Sequence, residues 1–359
     1  MDLYSNSLYM EDIDFVAGMD LTWEKLRGGN ILLSGATGLI GSFLIDVIME
    51  KNIREDMNCT IYAMGRDKEK ARIRFGKFEN DPHLIFFPCD VKLPLVYNDI
   101  GKVDYVVHLA SNTHPMQYAT DPIGTITTNV IGTQNMLDFA VEHQATRFVF
   151  ASSNEIYGEN RGDVELFKED YCGYIDSNTL RAGYPESKRC GEALCQAYKS
   201  QKQLDVVIPR LTRSYGPTML MSDTKAISQF IKKGINKEDI VLKSVGTQYY
   251  SFTYAADVVS GLLFVMLKGE SGKAYNIADE KSDVMLRDLA SIIAKIAETK
   301  VIYEIPDPTE ASGYSKATKA RLDGGELRKI GWSAKYNIED GVERTIRILK
   351  SIRGTENGH

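Results

Sequence analysis

Between Asn30 and Ile45 the chain reads Asn-Ile-Leu-Leu-Ser-Gly-Ala-Thr-Gly-Leu-Ile-Gly-Ser-Phe-Leu-Ile, a stretch that few folds can accept. Its short apolar run predicts a strand buried on both faces, and the periodic apolar residues after the glycines predict a helix that starts at once. Glycines at 35, 38 and 41 allow a tight turn, a close approach of backbone to an anion, and contact between helix and strand. A dinucleotide is therefore the expected ligand, its diphosphate held by Gly35, Thr37, Gly38, Leu39, Ile40 and Gly41. The spacing is G-x-x-G-x-x-G rather than G-x-G-x-x-G, so a ligand-free turn stays open until other residues are read.

Further strand-length apolar runs follow at 60–64, 84–87, 103–107, 147–150 and 205–208, separated by helical patterns. That alternation predicts an α/β fold with a doubly wound parallel sheet. Beyond Pro209 the pattern loosens, and 288–297 and 327–330 read as short amphipathic helices of a smaller, interleaved C-terminal lobe. We expect residues 1–27 to be a surface lead-in, with 20–26 as a short capped helix. Residues 28–210 should form the dinucleotide-binding part, completed by some of 246–280, with 211–359 mainly serving the substrate.

A net charge of −6 with scattered Lys and Arg leaves no nucleic-acid or membrane footprint. Cys59, Cys89, Cys172, Cys190 and Cys195 have no C-x-x-C spacing and no histidine cluster beside them, so reduced thiols and no metal are expected. The N-terminus carries no signal-peptide pattern and no apolar run is long enough to span a bilayer, which together predict a cytoplasmic protein.

In the usual fingerprint an acidic residue about 20 positions past the glycines holds the adenosine ribose. Here the strand ends Met64-Gly65-Arg66, with Lys68 and Lys70 close by. This favours NADP over NAD, Arg66 meeting a 2′-phosphate, although Asp67 is near enough to reach a ribose. Asp90 ends the next strand, where a carboxylate accepts from an adenine amino group or closes a turn.

Tyr184-Pro185-Glu186-Ser187-Lys188 places a phenol and an ammonium one helical turn apart. A cation there is expected to lower the tyrosine pKa, making it a base for an alcohol under oxidation. Ala151-Ser152-Ser153-Asn154-Glu155 follows a strand and brings Ser153 to the mouth of the same sheet. With these residues the chain resembles the extended short-chain dehydrogenase/reductase family, whose core is of the Rossmann type, in the branch that modifies nucleotide sugars. Within it, the UDP-glucuronate decarboxylases are most similar, through His108-Leu109-Ala110-Ser111, Asp121-Pro122-Ile123, 128–137, Gly216-Pro217-Thr218-Met219 and Gly246-Thr247-Gln248. The resemblance implies Tyr184 as base, Lys188 on the nicotinamide ribose and Ser153 on the reacting hydroxyl. It further implies Asp90, Val91, Leu109, Ala110 and Ser111 at the cofactor, Asn129 at the substrate, and a homodimer built on helices through 129–141 and 186–199.

Glu155 is the residue that separates reaction types. Simple 4-epimerases of the family carry a small or hydroxyl residue there, whereas dehydratases and decarboxylases carry glutamate. Dehydratases precede it with an aspartic acid that protonates the departing 6-hydroxyl, and Asn154 cannot donate in that way. The resemblance therefore implies oxidation at C4 and decarboxylation at C5, with 4,6-dehydration or 4-epimerisation as alternatives. Three positions depart from the decarboxylase pattern: Arg213 replaces an asparagine, while Thr218 and Tyr250 each replace an arginine. Arg213 and Tyr250 remain the expected substrate contacts, Arg213 on the diphosphate. A sensor that binds a dinucleotide without turnover is the reading of another class.

Overall fold

The computed structural model describes residues 2–95, 100–113, 115–304 and 318–356. Its strands are β1 (Asn30–Ser34), β2 (Thr60–Gly65), β3 (Leu84–Pro88), β4 (Tyr105–His108), β5 (Arg147–Phe150), β6 (Ser152–Ser153), β7 (Val206–Leu211), β8 (Arg213–Tyr215), β9 (Ile240–Leu242), β10 (Tyr249–Tyr254), β11 (Ala274–Ile277), β12 (Asp283–Met285), β13 (Val301–Tyr303) and β14 (Lys319–Ala320). The helices are α1 (Ser7–Ala17), α2 (Leu39–Glu55), α3 (Lys68–Arg74), α4 (Pro115–Thr120), α5 (Pro122–Glu142), α6 (Gly183–Lys202), α7 (Ala226–Ile235), α8 (Ala255–Lys268), α9 (Leu286–Ala297), α10 (Gly325–Lys329) and α11 (Ile338–Glu356).

The main sheet runs β11-β7-β5-β4-β1-β2-β3 and is parallel throughout. Its central strands are apolar on both faces, as strands sandwiched between helices must be: Ile31, Leu32, Leu33, Val106 and Val107 are all buried. Helices α1, α2 and α8 pack together on one face and α5 with α6 on the other. Strand order reverses at β1, which leads to β2 on one side and meets β4 on the other. Such a reversal opens a crevice at the carboxyl ends of the strands, and that is where the cleft lies.

One residue after β7, the chain leaves this sheet and β8 begins a second one, in which β10 lies between β12 and β14 and also pairs with β8. The β9–β13 pair and the packing of α7 on α9 and α11 complete this lobe. No helix among the described residues is long and apolar enough to cross a membrane.

The N-terminus is not the surface lead-in that its polar composition suggests. Tyr9, Ile13 and Val16 of α1 are buried against α2 and α8, and two buried carboxylates anchor the helix. Asp46 accepts from the hydroxyls of Tyr4 (2.6 Å) and Tyr9 and from Arg74. Asp12 accepts from Tyr254 (2.5 Å), Tyr336 (2.7 Å) and Arg344 (3.0 Å), so α1 ties both lobes together. The capped helix expected at 20–26 is a single 3-10 turn, Trp23–Leu26, to which Thr22 contributes no side-chain cap.

Candidate active site

The cleft has a cavity volume of about 510 Å³ and runs from the glycine turn, past the tips of β4 and β6, to β10. Its floor is shaped by absent side chains. Gly35 sits at φ +74°, and a Cβ there would lie 2.8 Å from the amide nitrogen of Ala110. At Gly41 a Cβ would meet the Gly35 carbonyl at 2.4 Å. Gly38 caps α2 with no side chain, leaving the first amides of that helix facing the cleft. Such a turn has the shape and the helix N-terminus that suit a diphosphate.

At the β2 end of the cleft, Arg66 is exposed just past the strand, and Lys70 lines the wall. Asp67 is engaged otherwise: its carboxylate accepts from the Lys70 amide at 2.9 Å and caps α3. Asp90 lines the cleft while closing a turn on the Lys92 amide (3.0 Å). Val91 is buried and its carbonyl accepts from Asn135 at 2.8 Å, fixing that wall. Leu109, Ala110 and Ser111 follow β4 along the opposite side.

Tyr184 lies in the first turn of α6, 6% exposed and stacked on Tyr118 with ring centroids 4.8 Å apart. Its hydroxyl has Ser153 and Ser111 as hydrogen-bonding neighbours. One turn on, the Lys188 ammonium donates to the Ala151 carbonyl at 2.8 Å and lies 5.0 Å over the Phe150 ring. Ser153 Oγ accepts from the Glu155 amide at 3.2 Å, and the Glu155 carboxylate accepts from Arg181 at 2.5 Å. Behind Ser152, which donates to Glu192 at 2.5 Å, the Glu192–Arg210 ion pair locks β6 to α6 and β7.

The electrostatics correct one expectation. Tyr184 is not lowered but pushed up to about 12, first by burial and then by the Glu155 carboxylate, with Ser153, Arg181 and Ser111 acting against them. Lys188 is itself pushed down to about 8 by burial, opposed by Cys195 and Glu192. Helical spacing correctly places the two on one face, but Lys188 spends its charge on a backbone carbonyl. The cation that acts on the phenol is Arg181.

Asn129 is a second correction. It is 1% exposed and does not line the cleft. Its Oδ1 accepts from Ser111 (2.7 Å), its Nδ2 donates to Ser187 (2.8 Å), and Ser187 donates to the Tyr184 carbonyl (2.8 Å). Asn129 therefore orients the tyrosine turn from behind. Arg181 and Tyr118, both at the cleft, escaped the sequence reading. The available signal was Arg181's position three residues before Tyr184, which puts it in the 3-10 turn leading into α6.

Arg213 and Tyr250 meet because β8 and β10 pair in parallel, Arg213 opposite Phe252. The guanidinium lies 3.4 Å from the centroid of the Tyr250 ring. Thr218, where the decarboxylases carry arginine, is buried and donates to the Leu39 carbonyl at 2.8 Å.

A doubly wound sheet, a glycine cradle, and a serine, tyrosine and lysine gathered at one strand mouth define the class: a dinucleotide-dependent enzyme that works on an alcohol. The model of the NAD dependent epimerase/dehydratase family matches residues 31–278, and the chain belongs to that family. It is 32% identical over 317 residues to "UDP-glucuronic acid decarboxylase 5" of Arabidopsis thaliana, covering 87% of this chain and 86% of the relative. To "UDP-glucuronic acid decarboxylase 1" of Danio rerio it is 30% identical, covering 89% and 72%. Among solved structures it is similar to a dTDP-glucose 4,6-dehydratase from Streptomyces venezuelae (TM-score 0.78, 24% identity, 91% and 98% covered). A UDP-glucuronic acid 4-epimerase from Bacillus cereus is also similar (TM-score 0.75, 21% identity, 90% and 99% covered). At those identities the structures establish the fold.

Proposed function

We propose that this enzyme oxidises C4 of a nucleotide-linked hexuronate and releases its C5 carboxylate as CO2, with UDP-glucuronate the first substrate to test. The observation that carries this reading is the pair Asn154 and Glu155 in the cleft wall, the glutamate ion-paired to Arg181. Expelling a 6-hydroxyl requires an acid that Asn154 cannot be, whereas a carboxylate β to a C4 ketone leaves without one.

Gly35 to Gly41, Asp90, Val91, Leu109 to Ser111 and Lys188 would hold the dinucleotide. When bound, its nicotinamide supplies the hydride acceptor and donor that no side chain provides. Tyr184 takes the C4 hydroxyl proton, and Ser153 holds that oxygen. Lys188 secures the ribose, and Arg181 supplies the positive charge that acts on the phenol. Arg181 keeps Glu155 fixed, and Tyr118 keeps the phenol in plane. Loss of CO2 leaves its electron pair as an enolate, and C5 then takes a proton.

Mass spectrometry of UDP-glucuronate incubated with the protein and a catalytic amount of oxidised cofactor tests the reading. A product lighter by one CO2 is expected. Loss of water would instead assign a dehydratase, and unchanged mass with inverted C4 an epimerase.

Two finer points belong to the same reading. The exposed Arg66 and the diversion of Asp67 into a helix cap support NADP, so NADP should bind more tightly than NAD, and Arg66→Ala should reverse that order in a fluorescence titration. Exposed Ile123, Ile126 and Ile131 on α5, with Leu180 ahead of α6, support a homodimer formed through these helices.

A further inference from the structure

Two guanidinium groups line the cleft around Glu155, and among the described residues only one is paired to a carboxylate. Arg181 takes Glu155 at 2.5 Å and lies 4.8 Å over the Tyr118 ring. Arg213 lies on the Tyr250 ring and has the Tyr250 hydroxyl as a hydrogen-bonding neighbour, with Glu155 and Arg181 acting on the same hydroxyl through space. The Nη1 atom of Arg213 is buried and has no hydrogen-bond partner among the described residues. Glu155, Arg181 and Arg213 together carry one net positive charge, and among the described residues no carboxylate pairs with Arg213. Stacking on Tyr250 fixes the plane of that guanidinium and leaves its edge as the recognition face, a fork that matches two carboxylate oxygens.

We propose that Arg213, held flat by Tyr250, is the specificity determinant that takes the carboxylate of the sugar, rather than a contact to the diphosphate. The assignment rests on the nucleotide-sugar reading above. It explains why losing an arginine at position 250 and gaining one at 213 need not abolish recognition: β8 and β10 are neighbours, so a guanidinium sent from either reaches the same space. The substrate diphosphate is left to other cations on the cleft wall, Lys225 and Lys243.

The test is calorimetric binding to the cofactor-loaded Tyr184→Phe protein, using UDP-glucuronate, UDP-glucose and UDP. The two sugars differ only in a carboxylate against a hydroxymethyl group. With Arg213 intact, UDP-glucuronate should bind at least about tenfold tighter than UDP-glucose. Arg213→Gln should erase the preference while leaving UDP-glucose and UDP unchanged, and Arg213→Lys should retain part of it. Thermal melts of both variants confirm that they are folded. Equal weakening of all three ligands in Arg213→Gln would place Arg213 on the diphosphate and overturn the assignment. An undiminished preference in that variant would overturn it too, while leaving the decarboxylase reading intact. Failure of all three to bind the intact protein would overturn both.

Discussion

Lys188 is buried at 3% exposure with its charge on a single carbonyl, so its presence costs the cofactor-free protein stability. Its folded-state pKa, pushed down to about 8 from an ordinary 10.5, sets the sign. Below pH 8 the lysine is charged in both states and the full cost of burying it is present; between pH 8 and 10.5 the folded protein sheds the proton first and stability is regained. Lys188→Met should therefore stabilise the cofactor-free protein at pH 7 by about 3 kcal/mol, the order of the cost of holding a charged ammonium where burial favours the neutral amine. That advantage should fade towards pH 10.5 in urea denaturation. Tyr184 gives the complementary case. Its phenol faces Glu155 on one side and Arg181, Ser153 and Ser111 on the other, so removing Arg181 leaves the carboxylate unopposed. Arg181→Gln should move the alkaline rise of kcat/KM upward by about one pH unit. Arg181→Lys should restore most of it, and adding Glu155→Gln to Arg181→Gln should bring the profile back down. An unshifted profile would leave Arg181 a merely structural partner.

The element that organises the molecule is the β1–α2 turn. Gly41 matters there because α2 crosses the turn so closely that a Cβ would meet the Gly35 carbonyl. Gly41→Ala must push the helix outward, lifting its first amides from the diphosphate position. We expect a loss of about 1–3 kcal/mol in stability from overpacking. Dinucleotide affinity should fall at least about tenfold, read by fluorescence titration alongside denaturation. Affinity kept while stability falls would mean that the cradle holds nothing.

At the scale of the whole molecule, two lobes share one cleft because the chain passes from β7 straight into β8, and α1 clasps both, its Tyr9 donating to Asp46 of α2 and its Asp12 accepting from Tyr336 and Arg344. Association through α5 and α6 would cover Ile123 and Ile131, which stand exposed. Sedimentation should give twice the chain mass of 40.2 kDa, and Ile123→Glu with Ile131→Glu should return it to one chain. A single-chain mass for the unmodified protein at micromolar concentration would exclude this interface.

Much of this protein was legible without coordinates, because its determinants are local. Apolar runs with the right period, three glycines and the i, i+4 spacing of Tyr184 and Lys188 act within one or two turns of chain, where backbone sterics decide the outcome. The parallel sheet, the cradle and the Tyr184–Lys188 face could thus be read from residue order. What depends on long-range packing could not. Polar residues of the N-terminal segment look solvated in the sequence, but Tyr4, Tyr9 and Asp12 satisfy their polar atoms against partners as far away as Arg344. Asn129 looked like a ligand contact and is a buried brace, because burial is decided by how α5 meets α6. The pairing of Glu155 with Arg181, and the laying of Arg213 on Tyr250, arise from elements that the fold brings side by side. Charges are felt through space at a few ångströms, so the acid–base character of the cleft was decided only when the tertiary structure set which charges adjoin.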